Sequence, residues 1–250
     1  NGVATATDWG WDSVSIAYTT PWSDWSSVRS FTTVSVAESI EVGEHTELQA
    51  TSNNADQTTS SITTGSSGST FVVFGQCPTG TTIDTITDSK GNAYSRIGSA
   101  IDNAIETSSI FYSQNASGGS SHTFTMHLSG SVVGVVYVVE VIHGKTAGIL
   151  DKSPAGLDDA TSPYTSNLTG TTSQDTELLL GFAATLTASG TETLTWGNSF
   201  TKLGETGNSA YYTGGSAWRR VTSAGSYQTT FTASGAGTSG ATSWIISLKQ

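Results

Sequence analysis

Charge is what this chain has least of: Asp, Glu, Lys and Arg make up 12% of its 250 residues, about half the share of an ordinary globular protein. Only nine residues are basic, they are scattered, and the formal net charge is −11. Such a sequence carries no electrostatic footprint for nucleic acid or an anionic membrane, so neither is expected as a partner. The single cysteine, Cys77, cannot close an internal disulfide, and no Cys/His spacing suits zinc. It reads as a small buried hydrophobe. A charged-then-apolar leader is missing, and a chain that opens on Asn1 reads as a processed product or a piece of something longer. No apolar run is long enough to cross a bilayer as a helix, so membrane insertion is not expected. Disorder is not expected either, because disordered chains are poor in aromatics and this one holds 7 Trp, 8 Tyr and 8 Phe.

What the chain has instead is Ser and Thr, roughly a third of all residues against the usual norm, with β-branched runs between glycine-rich turns. That composition suits exposed sheets. The longest apolar run, Val132-Val133-Gly134-Val135-Val136-Tyr137-Val138-Val139-Glu140-Val141-Ile142-His143-Gly144, is almost wholly β-branched and predicts a strand buried on both faces of its sheet. Glu140 is its one carboxylate. Buried there, it must be paired or put to use.

The opening of the chain differs from the rest. Trp9, Trp11, Trp22 and Trp25 crowd a segment with few aliphatic residues of its own, so they need another surface to cover them: the main domain or a neighbouring subunit. From Val34 to Val42 apolar residues alternate as in a half-buried strand, and Glu38, Glu41, Glu44 and Glu47 read as a solvated acidic edge that discourages aggregation. Residues 1–50 are therefore taken as a Trp-rich arm with an attachment strand. Residues 51–69, rich in Ser, Thr, Asn and Gly, are taken as a linker or long loop.

The remainder, 70–250, repeats itself. Gly75 matches Gly181 (181 − 75 = 106), Gly91-Asn92 matches Gly197-Asn198 (197 − 91 = 106), Gly119 matches Gly225 (225 − 119 = 106), and Tyr137-Val138-Val139-Glu140-Val141 matches Trp244-Ile245-Ile246-Ser247-Leu248 (244 − 137 = 107). Landmarks in one order at a nearly constant separation mark an internal pseudo-repeat, 70–144 and 177–250. Many short strands without a helical pattern make the fold all-β, a jelly-roll-like β-sandwich of two pseudo-repeated halves preceded by the Trp-rich arm. One shared core is expected in preference to two sandwiches in tandem, because each half alone has few strands.

Several stretches resemble a known group. Asp88-Ser89-Lys90-Gly91-Asn92-Ala93-Tyr94, Ile110-Phe111-Tyr112 with the Gly118-Gly119 turn, Val138 to Gly144 followed by Leu150-Asp151, and Ala217-Trp218-Arg219-Arg220-Val221 with Gly225-Ser226-Tyr227 look like the β-sandwich domains of predicted bacteriophage virion proteins and bacterial surface proteins. The likeness spans about residues 50 to 250. It implies a jelly-roll-like fold and a place on a virion surface or outside a cell, and it brings no catalytic residues.

Candidate chemistry is sparse. A glycosidase needs two converging carboxylates; Glu140 has none beside it on its own strand face, leaving Glu177 and Glu192 on other strands. An ion pair of Glu140 with Arg219 or Arg220 is the structural alternative. Asp84, Asp88 and Asn92 surround a turn and are calcium candidates, although the matching turn at Gly197-Asn198 lacks the acids and argues for ordinary Asx-turn chemistry. His45, His122, His127 and His143 are scattered. Tyr164, Tyr211 and Tyr212 are candidates for stacking on a glycan. No catalytic residue and no cofactor is expected. The reading is a non-enzymatic structural module of a virion surface (capsid decoration, tail or fibre), forming homo-oligomers or docking on other virion or surface proteins through its arm. A carbohydrate-binding adhesin for host-surface glycans, a bacterial surface or filament subunit, and a secreted hydrolase are the alternatives.

Overall fold

The computed structural model describes residues 3–5, 15–17, 38–103, 106–153, 156–159, 161–187, 193–207, 212–234 and 238–250. The chain divides into two units, 1–37 and 38–250. In the first, β1 (Val3–Thr5) pairs antiparallel with β2 (Ser15–Ala17), Val3 opposite Ala17. Trp9, Trp11, Trp22 and Trp25 lie outside the described residues.

The second unit is all-β. Its first half holds β3 (Glu41–Gln49), β4 (Asn54–Thr58), β5 (Ser67–Pro78), β6 (Ile83–Asp88), β7 (Ser95–Asp102), β8 (Glu106–Ser117), β9 (Phe124–Val132) and β10 (Val135–Ile142). A large sheet of order β3-β10-β5-β8-β7 faces a small one of order β4-β9-β6. The second half holds β11 (Leu150–Lys152), β12 (Leu157–Asp159), β13 (Tyr164–Thr165), β14 (Thr176–Thr187), β15 (Thr193–Trp196), β16 (Thr201–Gly207), β17 (Tyr212–Thr222), β18 (Thr230–Ser234) and β19 (Thr238–Lys249). Its large sheet runs β11-β19-β14-β17-β16, with β12 also on β19, and its small sheet β13-β18-β15. With β11 and β12 together standing where β3 stands, the two halves have one topology. Each has the strand order of a jelly roll, so the repeat legible in the sequence is a repeat of fold.

Each half has its own inner core, and a third core joins them. Phe71, Val73, Phe111, Val136 and Val138 face Ile83, Ile86, Phe124 and Met126 of the first small sheet. On the opposite face of the same strands, Val72, Phe74, Tyr137 and Val139 pack against Leu178, Leu180, Phe182, Trp244 and Ile246 of the second large sheet. The layers are therefore small, large, large, small. An antiparallel sheet ordinarily leaves one face to water and alternates in sequence; β10 and β19 lack that alternation because both of their faces are covered. A core shared by the halves is present as expected, but each half is also a sandwich of its own, which corrects the single sandwich expected from the sequence.

The halves meet as the subunits of an isologous dimer do. From β10, the Tyr137 hydroxyl reaches across to Thr206 on β16, 2.5 Å from Oγ1 and 3.0 Å from the amide N. From β19, Trp244 at the matching sequence position donates Nε1–H across to Ser108 Oγ on β8 at 3.0 Å. Glu47 on β3 lies against Gly204 on β16, while Gly156, just before β12, lies against Ile101 on β7. The edge contacts correspond in the two directions, β3 with β16 and the segment before β12 with β7, whereas the two hydrogen bonds fall on strands that are not equivalent, β16 and β8.

The repeated glycines follow from the layering. Gly75 faces the small sheet, where a Cβ would come 2.6 Å from Met126 Sδ and 2.9 Å from Ile83 Cδ1; a Cβ on Gly181 would come 3.1 Å from Thr229 Oγ1 and 3.2 Å from the Trp196 ring. In both halves the central strand gives up its side chain so that the small sheet can close.

Two boundaries move. The stretch expected to be a linker, 51–69, contains β4 and the start of β5, and Ile62 bridges to His122, so it is integral to the first jelly roll. The attachment strand is β3, the edge strand of the first large sheet rather than a part of the arm. Composition misled here because Ser, Thr and Asn serve equally in loops and on the solvated face of a small sheet.

Candidate functional site

The densest polar cluster is built on the β6–β7 turn. Asp88 ends β6, and its Oδ1 accepts the amides of Lys90 (2.9 Å) and Asn92 (3.1 Å), as an Asx turn does. Its Oδ2 accepts the Asn92 side-chain amide (2.7 Å) and the Tyr94 hydroxyl (2.8 Å) and lies 3.1 Å from His122 Nε2. Asn92 also ties down the end of β8, donating to Ser117 O and accepting from Ser117 N. On its other side His122 places Nδ1 3.0 Å from Thr64 Oγ1, which in turn accepts the Gly119 amide at 3.0 Å. His122 thus lies between Thr64 at Nδ1 and Asp88 at Nε2, and ties the loop at 64–65 to the β6–β7 turn. The imidazole stacks on Phe124 (4.2 Å between centroids, 26°) and meets Phe71 edge-on at 4.9 Å.

Burial alone would raise the Asp88 pKa, but the hydrogen bonds from Asn92, Tyr94 and His122 outweigh it and hold the carboxyl below the usual range. The Tyr94 hydroxyl is pushed far up, first by burial and then by the adjacent carboxylate. A carboxylate with a depressed folded pKa contributes stability above its unfolded value and loses it as pH falls through the folded one. Asp88→Asn is therefore expected to cost about 2 kcal/mol at neutral pH, and the gap between variant and native chain should close on acidification. Urea unfolding across the acid range measures this; a gap independent of pH would contradict it.

Thr64, His122 and Asp88 contain the residue types of a hydrolase triad, but the geometry is that of a strut. The Asp88 and His122 side chains are fully buried. Gly118 sits directly on Gly65 O and Thr64 Oγ1 with no space for even a methyl group, so no substrate carbonyl can approach the hydroxyl. Nor is this a calcium site. The two Asp88 oxygens already accept four hydrogen bonds, Asn92 presents its amide N–H₂ to Asp88 rather than its carbonyl, and Asp84, four residues back along β6, is about 13 Å away at strand rise and exposed, accepting from Thr82. Among the described residues no group of three His, Cys, Asp or Glu side chains is placed to hold a metal.

Glu140 is buried, as the sequence required, and its partners correct the proposed ion pair. The β3–β10 ladder shifts register between Val139 and Val141, leaving Gly43 and Glu44 bulged opposite Glu140. The freed Glu44 amide donates to Oε2 at 3.1 Å; Oε1 accepts the Gly65 amide at 2.8 Å and the Ser69 hydroxyl at 2.6 Å. Gly43 is required, since a Cβ there would stand 2.7 Å from Oε2. Arg219 and Arg220 are elsewhere. Arg219 shares a strand face with Ala217, toward the second small sheet, where it donates to Asn198 O and covers the Tyr227 ring; Arg220 is exposed. Two large sheets lie between Glu140 and Arg219, because strand parity sends them to opposite outer cores. For the same reason Glu140 does not converge with Glu177, and Glu192 lies outside the described residues.

Of the tyrosines offered for a glycan, Tyr164 is packed on Phe231 in the second inner core and Tyr212 lies in the shared core. Neither can stack on a sugar. Tyr211 lies outside the described residues. Cys77 is wholly buried, 3.4 Å from Thr81 O, and burial, with Glu106, Asp102 and Asp84 adding, pushes its thiol up to about 12.

No family model, curated protein or solved structure matches this chain. The arrangement of its own side chains therefore carries the functional reading.

Proposed function

We propose that the chain is a non-enzymatic structural module, displayed on a bacteriophage virion surface as a capsid decoration, tail or fibre component, that associates with copies of itself or neighbouring surface proteins through its N-terminal segment. One observation supports this above the rest: Asp88 and Glu140, two carboxylates of the first half with buried side chains, direct their oxygens to donors of their own chain and hold loops in place. Stacking two jelly rolls through a common core gives a stiff body, and a low-charge Ser/Thr surface suits display outside a cell. Among the described residues Leu168 is the one large apolar side chain left exposed, so the body offers little apolar surface for partners. The assembly role falls to the four tryptophans of the opening segment, and the virion setting rests on the sequence resemblance.

The test compares sedimentation of the full chain with that of a chain beginning at Glu38, which retains the whole three-core body. The full chain is expected to sediment as an oligomer and the shortened one as a folded monomer. Equal sedimentation of the two would remove the assembly role.

A further inference from the structure

The two jelly rolls treat the carboxyl groups near the ends of β10 and β19 differently. In the first, a single acid, Glu140, takes the amide of the covering Gly65 together with two more donors. In the second, the covering residue at the matching place is Ser173 (173 − 65 = 108), and Thr172 beside it accepts the Gly225 amide as Thr64 accepts that of Gly119. Ser173 gives both its amide (2.7 Å) and its hydroxyl (2.6 Å) to Asp151 on β11. A second acid, Glu177 on β14, lies beneath. It is completely buried, and neither of its oxygens has a hydrogen bond of ordinary geometry.

Among the described residues the charged groups around this pair come from three elements and one loop. Asp151 adjoins Glu177, with Ser247 of β19 and the Gln174 backbone also within reach. Lys249 Nζ of β19 is 3.8 Å from Asp151 Oδ1, and Lys152 acts on Asp151 from its own strand. Asp175 is turned away, accepting the Ala224 amide at 3.0 Å. An ionised carboxylate whose nearby donors, Ser247 and the Gln174 backbone, are not in ordinary hydrogen-bond geometry is costly at such burial, and two adjoining carboxyls relieve that cost and their mutual repulsion by keeping one proton between them.

We propose that Asp151 and Glu177 form a buried acid–carboxylate pair holding one shared proton, which clasps the segment 169–175 onto the second jelly roll and tightens in mildly acidic solution. Glu177 carries the proton and donates it to Asp151, whose charge is settled by Ser173 and Lys249. The directions of titration agree: burial foremost, and Asp151 beside it, raise Glu177, whereas for Asp151 the bonds from Ser173 overcome burial and lower it. With Glu177 raised, the folded chain binds more protons than the unfolded one between the two pKa values, and stability falls as pH rises through that window. With Asp151 lowered, stability is lost as pH falls through its folded value. The clasp is tightest between.

Denaturant unfolding of the full chain from about pH 3 to about pH 9, compared with Glu177→Gln, tests this. Gln keeps a donor toward Asp151 but does not titrate. Above the ordinary carboxyl range the unfolding constant of the native chain should rise by up to about tenfold per pH unit relative to that of E177Q, until Glu177 is ionised. Glu47, which burial also raises, contributes equally to both chains and cancels. Carbon-13 titration of the Glu177 carboxyl in the native protein should give a midpoint above that of an ordinary glutamate, and this reading decides the matter if E177Q does not fold. Parallel pH profiles, a Glu177 midpoint in the ordinary range, or stabilisation of the native chain but not E177Q by added calcium would each overturn the shared proton, the last in favour of a cation between the carboxyls.

Discussion

Trp244→Ala is expected to destabilise the body by about 3–5 kcal/mol, the range for removing a fully buried aromatic. The ring lies in the core shared by the two halves, 1% exposed. A Cβ on Gly156 would stand 2.7 Å from ring atoms Cδ2 and Cε2, so the indole packs directly against that backbone. The loss is more than hydrophobic. Ser108, itself fully buried, accepts Nε1–H at 3.0 Å and would be left without its donor. Trp244→Phe, which keeps much of the apolar area but not the N–H, should fall between the two. Guanidinium unfolding followed by far-UV circular dichroism measures both. A loss below about 1 kcal/mol for the alanine variant would mean that the halves are not held together through this core.

Glu140→Ala should cost about 2–3 kcal/mol, since a buried donor left without an acceptor costs about 1–3 kcal/mol: the buried Ser69 hydroxyl loses its partner, while the amides of Glu44 and Gly65, on exposed residues, can turn to water at smaller cost. Glu140→Gln keeps one acceptor oxygen and should cost less. Arg219→Ala provides the contrast. If Glu140 depended on an arginine, removing Arg219 would be as damaging; because Arg219 instead holds Asn198 O and the face of Tyr227 at the surface, its loss should be below about 1 kcal/mol. Matching losses for Glu140→Ala and Arg219→Ala would refute the hydrogen-bonded assignment.

The bulge that serves Glu140 had a mark in the sequence. Gly43 interrupts an otherwise regular strand, and a lone glycine there signals a bulge or a close approach; it is both. The Asp88 cluster was half legible. Asp88, Asn92 and Tyr94 belong to one turn, and the local Asx pattern is correctly read from residues four and six apart. His122 and Thr64 carried no such mark, because Thr64 reaches His122 across 58 residues of chain and serine and threonine are too abundant for any one of them to stand out. Tyr164 and Tyr212 were misplaced for a related reason: an aromatic flanked by polar residues near a turn looks like a rim residue until the opposing sheet is in place. Glu177 stood out only as a possible hydrolytic acid, and its real neighbour, Asp151, was named only in the resemblance.

Strand periodicity, turn glycines and the 106-residue echo are properties of neighbouring residues and of the chain compared with itself, so the all-β class, the two pseudo-repeated halves and the two-sided burial of the run around Glu140 were determined before any coordinate was known. Which donor reaches which carboxylate was not. Glu140 meets its three partners across 71, 75 and 96 residues, and the two halves exchange Tyr137 and Trp244 through a core that exists only after both large sheets have formed. Those pairings depend on strand parity, a single bulge and the path of two covering loops, each of which a one-residue shift would undo, and they were settled by the packing of the layers.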